Sequence, residues 1–298
     1  MTTVVLGCGY VGLELGRQLT AAGERVVGVR RSESGLDAIE SAGFEGVRAD
    51  LTEPADLAAV PDAETVVFAA SSGGRGPAAA REVYVEGQRT ALDQFAARDE
   101  PPERYLYTSS TGVYGDHGGD WVDEETPLDP ATEKTAVLAE AERVAVEGAA
   151  DRGIDGTVAR LAGIYGPDRD RLSRYVEGPV TEGYLNMVHR DDIAGAIAHL
   201  LREDLARGEV VLVVDDEPVS KWEFADWLAA ECGVDEPPKR TKDERLEAGD
   251  LSEAARRRIL TSKRCRNDKL RGLGYEFEYP TFREGYRERI EQFRNERE

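Results

Sequence analysis

The chain opens with VVLGCGYVGLELG, in which apolar strand residues run into Gly7-x-Gly9-x-x-Gly12 and a helical pattern begins at once. A strand, a three-glycine turn and a helix in immediate succession leave the backbone few choices. Gly7 permits a tight turn, Gly9 lets another group approach the main chain, and Gly12 lets helix and strand pack closely. The helix N-terminus then points unpaired N–H groups at whatever lies over the turn, an arrangement suited to a pyrophosphate.

The rest of the chain extends this first β-α unit. Short β-rich runs recur at TTVVLG (2–7), RVVGVR (25–30), GVRAD (46–50), TVVFAA (65–70), RYLYTSS (104–110), GTVARLAGIYG (156–166) and EVVLVVD (209–215). Helical patterns such as GLELGRQLTAAG fill the intervals. Continuously apolar strands joined by helices of that length predict an α/β fold with a doubly wound parallel sheet. After residue 166 the alternation fails. The expected plan is a nucleotide-binding core of 1–166 completed by 186–217, with 167–185 and 218–298 forming a small C-terminal substrate lobe. A ligand in such a fold belongs at the carboxyl ends of the strands.

Composition narrows the class. The 298 residues carry 59 acids against 38 bases, a net charge of −21, and six of those bases are lysine. That balance argues against nucleic-acid or anionic-membrane partners, and many acids with few lysines suit a salt-rich, halophilic cytosol. Cys8, Cys232 and Cys265 are too dispersed for a disulfide framework or a metal site, so no metal is expected. A strand beginning near residue 3 leaves no room for a signal peptide, and no apolar run approaches the ~20 residues of a membrane span. The expected location is the cytoplasm.

The end of the second strand bears on the cofactor. A carboxylate there would grip a ribose 2′-hydroxyl, whereas VVGVRRSES supplies Arg30 and Arg31, which suit a 2′-phosphate. The expected cofactor is therefore NADP, with NAD the weaker candidate. The candidate cofactor contacts are Gly7, Gly9, Tyr10, Val11, Gly12, Arg30, Arg31, Asp50, Leu51, Ala69 and Ala70.

These stretches, together with YLYTSSTGVYG, VARLAGIYGPDR and MVHRDDIAGAI, resemble the extended short-chain dehydrogenase/reductase superfamily, the NAD-dependent epimerase/dehydratase group. The resemblance implies a Rossmann fold, a bound nicotinamide dinucleotide and often a nucleotide-sugar substrate. It also implies a loop serine, matched by Ser110, and a Tyr-x-x-x-Lys pair on the next helix with a glutamate four residues further on. In PATEKTAVLAEAE, anchoring on Glu140 puts Thr132 and Ala136 where the pair belongs, and 127–150 contains no tyrosine. The chain reads as an atypical member.

Two residues are candidates to replace the missing acid or base. Tyr84, in REVYVEGQRTAL, offers a phenol, against a plain role in helix packing. His117, in YGDHGGDW, titrates near neutrality, against an idle place on a surface loop. The basic run AARRRILTSKRCRN (254–267) makes Arg256, Lys263 and Arg264 candidate contacts for a small anionic substrate, against cations that only complement a helix end. The resemblance also implies a homodimer paired through two helices, which here would span about 78–98 and 131–149 and offer Val83, Leu92, Phe95, Val137, Leu138 and Val144 as apolar contacts. Two functions follow: an NADP-dependent oxidoreductase or epimerase-like enzyme, or a sensor or scaffold that kept the dinucleotide cleft and lost the chemistry.

Overall fold

Valine-rich runs with no polar interruption cannot leave either face in water, and in this chain they form the centre of a sheet. The computed structural model describes residues 1–73, 76–247, 249, 251 and 253–297, without the side chains of 253, 254, 257 and 258. There are two compact units. The first comprises Met1–Val113, Thr132–Leu161 and Ile193–Val213; the second comprises Tyr114–Ala131, Ala162–Asp192 and Val214–Glu298. Tyr114–Ala131, within the 1–166 core expected from the alternation, thus groups with the second unit.

The first unit is built on seven parallel strands: β1 (Thr2–Leu6), β2 (Arg25–Arg30), β3 (Glu45–Arg48), β4 (Thr65–Phe68), β5 (Arg104–Ser110), β6 (Asp155–Leu161) and β7 (Val210–Val213). Their order is β7-β6-β5-β4-β1-β2-β3, and every pairing is parallel. The order reverses between β1 and β4, the point at which a doubly wound sheet opens a crevice. Val4, Val5, Leu6, Val66, Val67 and Phe68 are fully buried. Each contributes about 1.5–3 kcal/mol of hydrophobic stabilisation, so the strands bordering the crevice are firmly held.

Helices α1 (Tyr10–Ala21), α2 (Glu33–Ser41), α3 (Pro77–Arg81), α4 (Gly87–Ala96) and α5 (Glu133–Arg143) belong to this unit. A π-helical turn, Glu82–Glu86, joins α3 to α4, and another, Val144–Gly148, follows α5. Gly156 makes the second turn possible, because a Cβ there would stand 1.9 Å from the Ala145 carbonyl oxygen. Four of the apolar residues suggested for a homodimer, Leu92, Phe95, Val137 and Val144, are buried in the chain's own core, with Val83 packed against it. Leu138 is half-buried.

The second unit has its own core, in which Phe224 meets Tyr175, Phe282 and Tyr286 edge-on. Its helices include α6 (Leu172–Glu177), α7 (Lys221–Cys232) and α8 (Lys242–Glu247). Two-residue and three-residue strands tie it together, among them Trp121–Val122 parallel to Arg264–Cys265 and Gly163–Tyr165 parallel to Met187–His189. Among the described residues no helix is long and apolar enough to cross a membrane.

Candidate functional site

The glycine turn sits at the reversal of strand order. Gly7 has φ +78°, a conformation that L side chains rarely adopt. A Cβ there would also come within 2.2 Å of the Ala70 Cα, so β1 and the end of β4 touch backbone to backbone. The amides of Gly7 and Cys8 both donate to the Val29 carbonyl, at 3.2 and 3.0 Å, which locks the turn onto β2. Gly9 precedes α1, and among the described residues no side chain caps that helix. Tyr10 and Val11 are half-buried and Gly12 is buried in the first turn. A bare main chain and an uncapped helix start fit a dinucleotide's pyrophosphate.

Arg30 leaves the end of β2 and lies across this turn. Its Nη1 donates to the Cys8 carbonyl at 3.2 Å, and a Cβ on Gly9 would be 3.0 Å from the same nitrogen. Burial pushes the Cys8 thiol up to about 12 despite the opposing pull of Arg30, so Cys8 is packing rather than a nucleophile. Arg31 is more exposed; its Nη1 pairs with Asp50 Oδ2 at 3.2 Å. Burial raises the Asp50 pKa, but hydrogen bonds from the Thr52 amide, the Thr52 hydroxyl and Arg31 outweigh it, so the carboxyl lies below its usual range. Leu51 is buried beside it, and Ala69 and Ala70 are half-buried. The candidate cofactor contacts therefore gather in one unit, around one turn.

Ser110 closes β5, and its Oγ accepts the Gly112 amide at 3.1 Å. A Cβ on Gly112 would touch both that oxygen, at 3.3 Å, and the Thr135 methyl, at 3.7 Å, so the start of α5 borders the serine loop. Thr132 caps α5: its Oγ1 accepts the Thr135 amide at 3.2 Å, and the two threonine hydroxyls lie 3.0 Å apart. Ala136 is exposed. Tyr84 lies in the π-helical turn, half-buried, where its hydroxyl accepts the Ser72 amide at 3.1 Å. The phenol thus holds the segment after β4.

The remaining candidates lie in the second unit. The His117 ring is half-buried, with Nε2 3.0 Å from the Tyr114 carbonyl, to which it donates in that tautomer. Its amide donates to the Ser262 carbonyl at 3.0 Å. Lys263 is buried and donates to the Gly115 carbonyl at 3.1 Å. Arg264 donates to the Gly119 carbonyl at 2.7 Å and stands 4.9 Å from the ring centres of both Trp121 and Tyr184. Both cations clasp the 115–122 loop. Arg256 is exposed on the helix Glu253–Leu260, and the side chains of Arg257 and Arg258, from the same basic run, lie outside the described residues.

One group in the first unit escaped sequence reasoning. Glu142 on α5 is 4% exposed and Arg160 on β6 is 5% exposed. The guanidinium donates to the carboxylate at 3.0, 3.1 and 2.7 Å, and the Ser109 hydroxyl donates to it at 2.6 Å. Glu140, by contrast, pairs at the surface with Arg81 and Arg89. Of the two glutamates, Glu142 is the one that turns into the sheet. The available signal was Arg160 itself, a charge within the apolar run TVARL, which demands a buried counter-charge. Residues 134, 138 and 142 share one stripe of the helix by the i, i+4 rule, so Lys134 and Leu138 lie above Glu142 on that stripe.

A glycine turn at the switch point of a parallel sheet, an uncapped helix and a bare main chain together define a dinucleotide-binding protein of the Rossmann type. The model of the NAD dependent epimerase/dehydratase family matches residues 3–213, and the chain belongs to that family. Protein YeeZ of Escherichia coli K12 is 29% identical over 287 residues, spanning 93% of this chain and 95% of YeeZ. A solved structure of a conserved protein of unknown function from Silicibacter pomeroyi is 31% identical, with 99% of this chain and 98% of that one covered and a TM-score of 0.77. The dTDP-glucose 4,6-dehydratase of Streptomyces venezuelae, solved with NAD bound, is 21% identical with a TM-score of 0.79. It covers 100% of this chain and 98% of its own, a likeness of fold.

Proposed function

We propose that this chain is an NADP-dependent oxidoreductase or epimerase acting on a small anionic substrate of the nucleotide-sugar class. The observation that carries the cofactor choice is Arg30. It lies over the glycine turn at the end of β2, where it would meet a 2′-phosphate, while Arg31 meets Asp50 beside it. Gly7, Gly9 and the start of α1 would hold the pyrophosphate, and Ala69 and Ala70 would let the dinucleotide pass along β4. When bound, NADP would accept or supply hydride at its nicotinamide. Ser110 would hydrogen-bond the reacting hydroxyl or carbonyl, and the Glu142–Arg160 pair would keep the end of β5 in place through Ser109.

The acid or base is the open position. Taking Glu142 as the family's glutamate moves the tyrosine and lysine places to Lys134 and Leu138, so neither anchor supplies the pair. Thr132 has its hydroxyl engaged in the helix cap and cannot stand in for a phenol. That feature supports the rival reading, a dinucleotide-binding sensor or scaffold without turnover. Binding of NADPH and NADH, followed by turnover of dTDP- and UDP-sugars read both at the reduced nicotinamide's absorbance, for a net oxidoreduction, and by chromatography of the sugar product, for an epimerase that returns its hydride, separates the two. Tight NADPH binding with no turnover of any sugar nucleotide would favour the sensor.

A further inference from the structure

Where β2 and β3 end, the register of the sheet sets a cation beside an anion. Arg30 stands opposite Arg48, and the Ala49 amide donates to the Arg30 carbonyl at 3.1 Å. Arg31 and Asp50 therefore leave the two strands side by side, and Arg31 Nη1 donates to Asp50 Oδ2 at 3.2 Å. The two partners differ in how they are held. Asp50 Oδ1 accepts the Thr52 amide at 3.0 Å and the Thr52 hydroxyl at 2.8 Å, and the Asp50 amide donates to Asp56 Oδ2 at 2.9 Å. The Arg31 side chain is 61% exposed. Its Nη2 lies 3.6 Å from where a Gly73 Cβ would stand, so the guanidinium reaches from the end of β3 toward the segment after β4. Arg30 is placed otherwise, folded back on the glycine turn with Nη1 on the Cys8 carbonyl, a neutral acceptor.

A carboxylate fixed against one of two arginines changes what that arginine can give a 2′-phosphate. Arg30 can turn its charge to the phosphate without stranding an anion. Arg31 must first give up Asp50, so its contact with the phosphate is reduced by the pair it breaks. NADH carries no 2′-phosphate and meets no such competition. We propose that Asp50 is a specificity-determining residue: as the standing counter-ion of Arg31, it narrows the preference of this chain for NADP over NAD. The inference rests on the cofactor reading above, in which the end of β2 faces the 2′-phosphate. Burial of the Asp50 carboxyl is outweighed by the hydrogen bonds from Thr52 and Arg31, which hold it below its usual range. It is therefore ionised throughout the neutral range, and the competition is constant there.

Fluorescence titrations of the full chain with NADPH and with NADH, at low salt where charges are least screened, test this role. The quantity read is the ratio of the two affinities, in which any loss at the adenosine, common to both dinucleotides, cancels. Asp50→Asn keeps an oxygen for Thr52 and removes the charge. It should shift the ratio toward NADPH by about fivefold, the worth of one exposed ion pair. In an Arg31→Ala background the same substitution should leave the ratio unchanged, because the gain passes through Arg31. A ratio that Asp50→Asn does not move overturns the proposal. So does a shift that persists in full without Arg31, which would make Asp50 a plain repulsive charge. If Asp50→Asn does not fold, Arg31→Ala decides alone. With Arg31 committed to Asp50, its loss should move the ratio by less than about threefold, against about tenfold or more for Arg30→Ala, and equal shifts in the two variants overturn the proposal. The cofactor reading fails separately. A wild-type protein that binds both dinucleotides equally, and comes to prefer NADPH in Asp50→Asn, removes the NADP assignment and keeps Asp50 in this role. A chain that binds neither dinucleotide overturns both.

Discussion

Replacing Arg160 by methionine removes the cation from a pair in which both side chains are about 95% buried. The methionine fills much of the same volume, so packing is nearly conserved. The Glu142 carboxylate remains desolvated and retains the Ser109 hydroxyl as a donor. Breaking one side of a buried pair costs about 3–5 kcal/mol, because attraction is lost while desolvation persists. With a urea m-value of about 3 kcal/mol/M, the unfolding midpoint should fall by about 1–1.7 M. Circular dichroism across a urea series reads this directly. The double variant Arg160→Met with Glu142→Leu should recover most of the loss, since no charge is then stranded. The deficit of the single variant should also persist in 1 M KCl, unlike that of an exposed pair such as Arg25–Glu45. A midpoint shift under about 0.3 M, or a double variant no better than the single, would refute the view that this pair anchors α5 to the sheet.

Arg30→Ala should weaken NADPH binding by about tenfold or more while leaving NADH nearly unchanged, since a charge-assisted contact to the 2′-phosphate contributes roughly 1.5–3 kcal/mol. Equal affinities of the wild-type protein for the two cofactors at every ionic strength would remove the NADP assignment. Ser110→Ala should lower turnover and spare NADPH affinity, and Tyr84→Phe and His117→Ala then rank the two candidate acids; turnover that survives all three places the chemistry on other residues. Asp215 is buried, accepts the Glu217 amide at Oδ1, and has no partner at Oδ2 among the described residues. Burial, only partly offset by the hydrogen bond from the Glu217 amide and reinforced by Asp216, Glu217 and Asp192, lifts its pKa well above 3.8. The folded state therefore holds that proton more tightly, and the stability it brings is lost as pH rises through the folded pKa. Asp215→Asn should raise the melting temperature at pH 7, with the gain disappearing below about pH 3.8.

The second strand shows how far local sequence reaches in the site. Arg30 and Arg31 could be placed at the end of β2 because strand length and the following SES fix where the chain turns. That Arg30 would lie over Cys8 while Arg31 pairs with Asp50 could not be read, because residues 19–22 positions apart meet only once β2 is set between β1 and β3. Tyr84 is similar. Its helix was legible, but its hydroxyl meets Ser72 through a π-helical turn, a local break in helical period that no 3.6-residue pattern foretells.

What the sequence determined by itself was the nucleotide-binding half of the protein: alternating strands and helices, a parallel sheet, and a glycine turn opening the first unit. Those features are local, since burial on both faces is written in each strand and φ +78° at Gly7 needs only that one residue. The tertiary structure decided which glutamate faces inward, because Glu140 and Glu142 differ only in their rotation about α5. It also decided that Lys263 and Arg264 clasp a loop that lies far from them in the chain. Charges find their partners through the packing of distant elements, and that packing is a property of the whole fold.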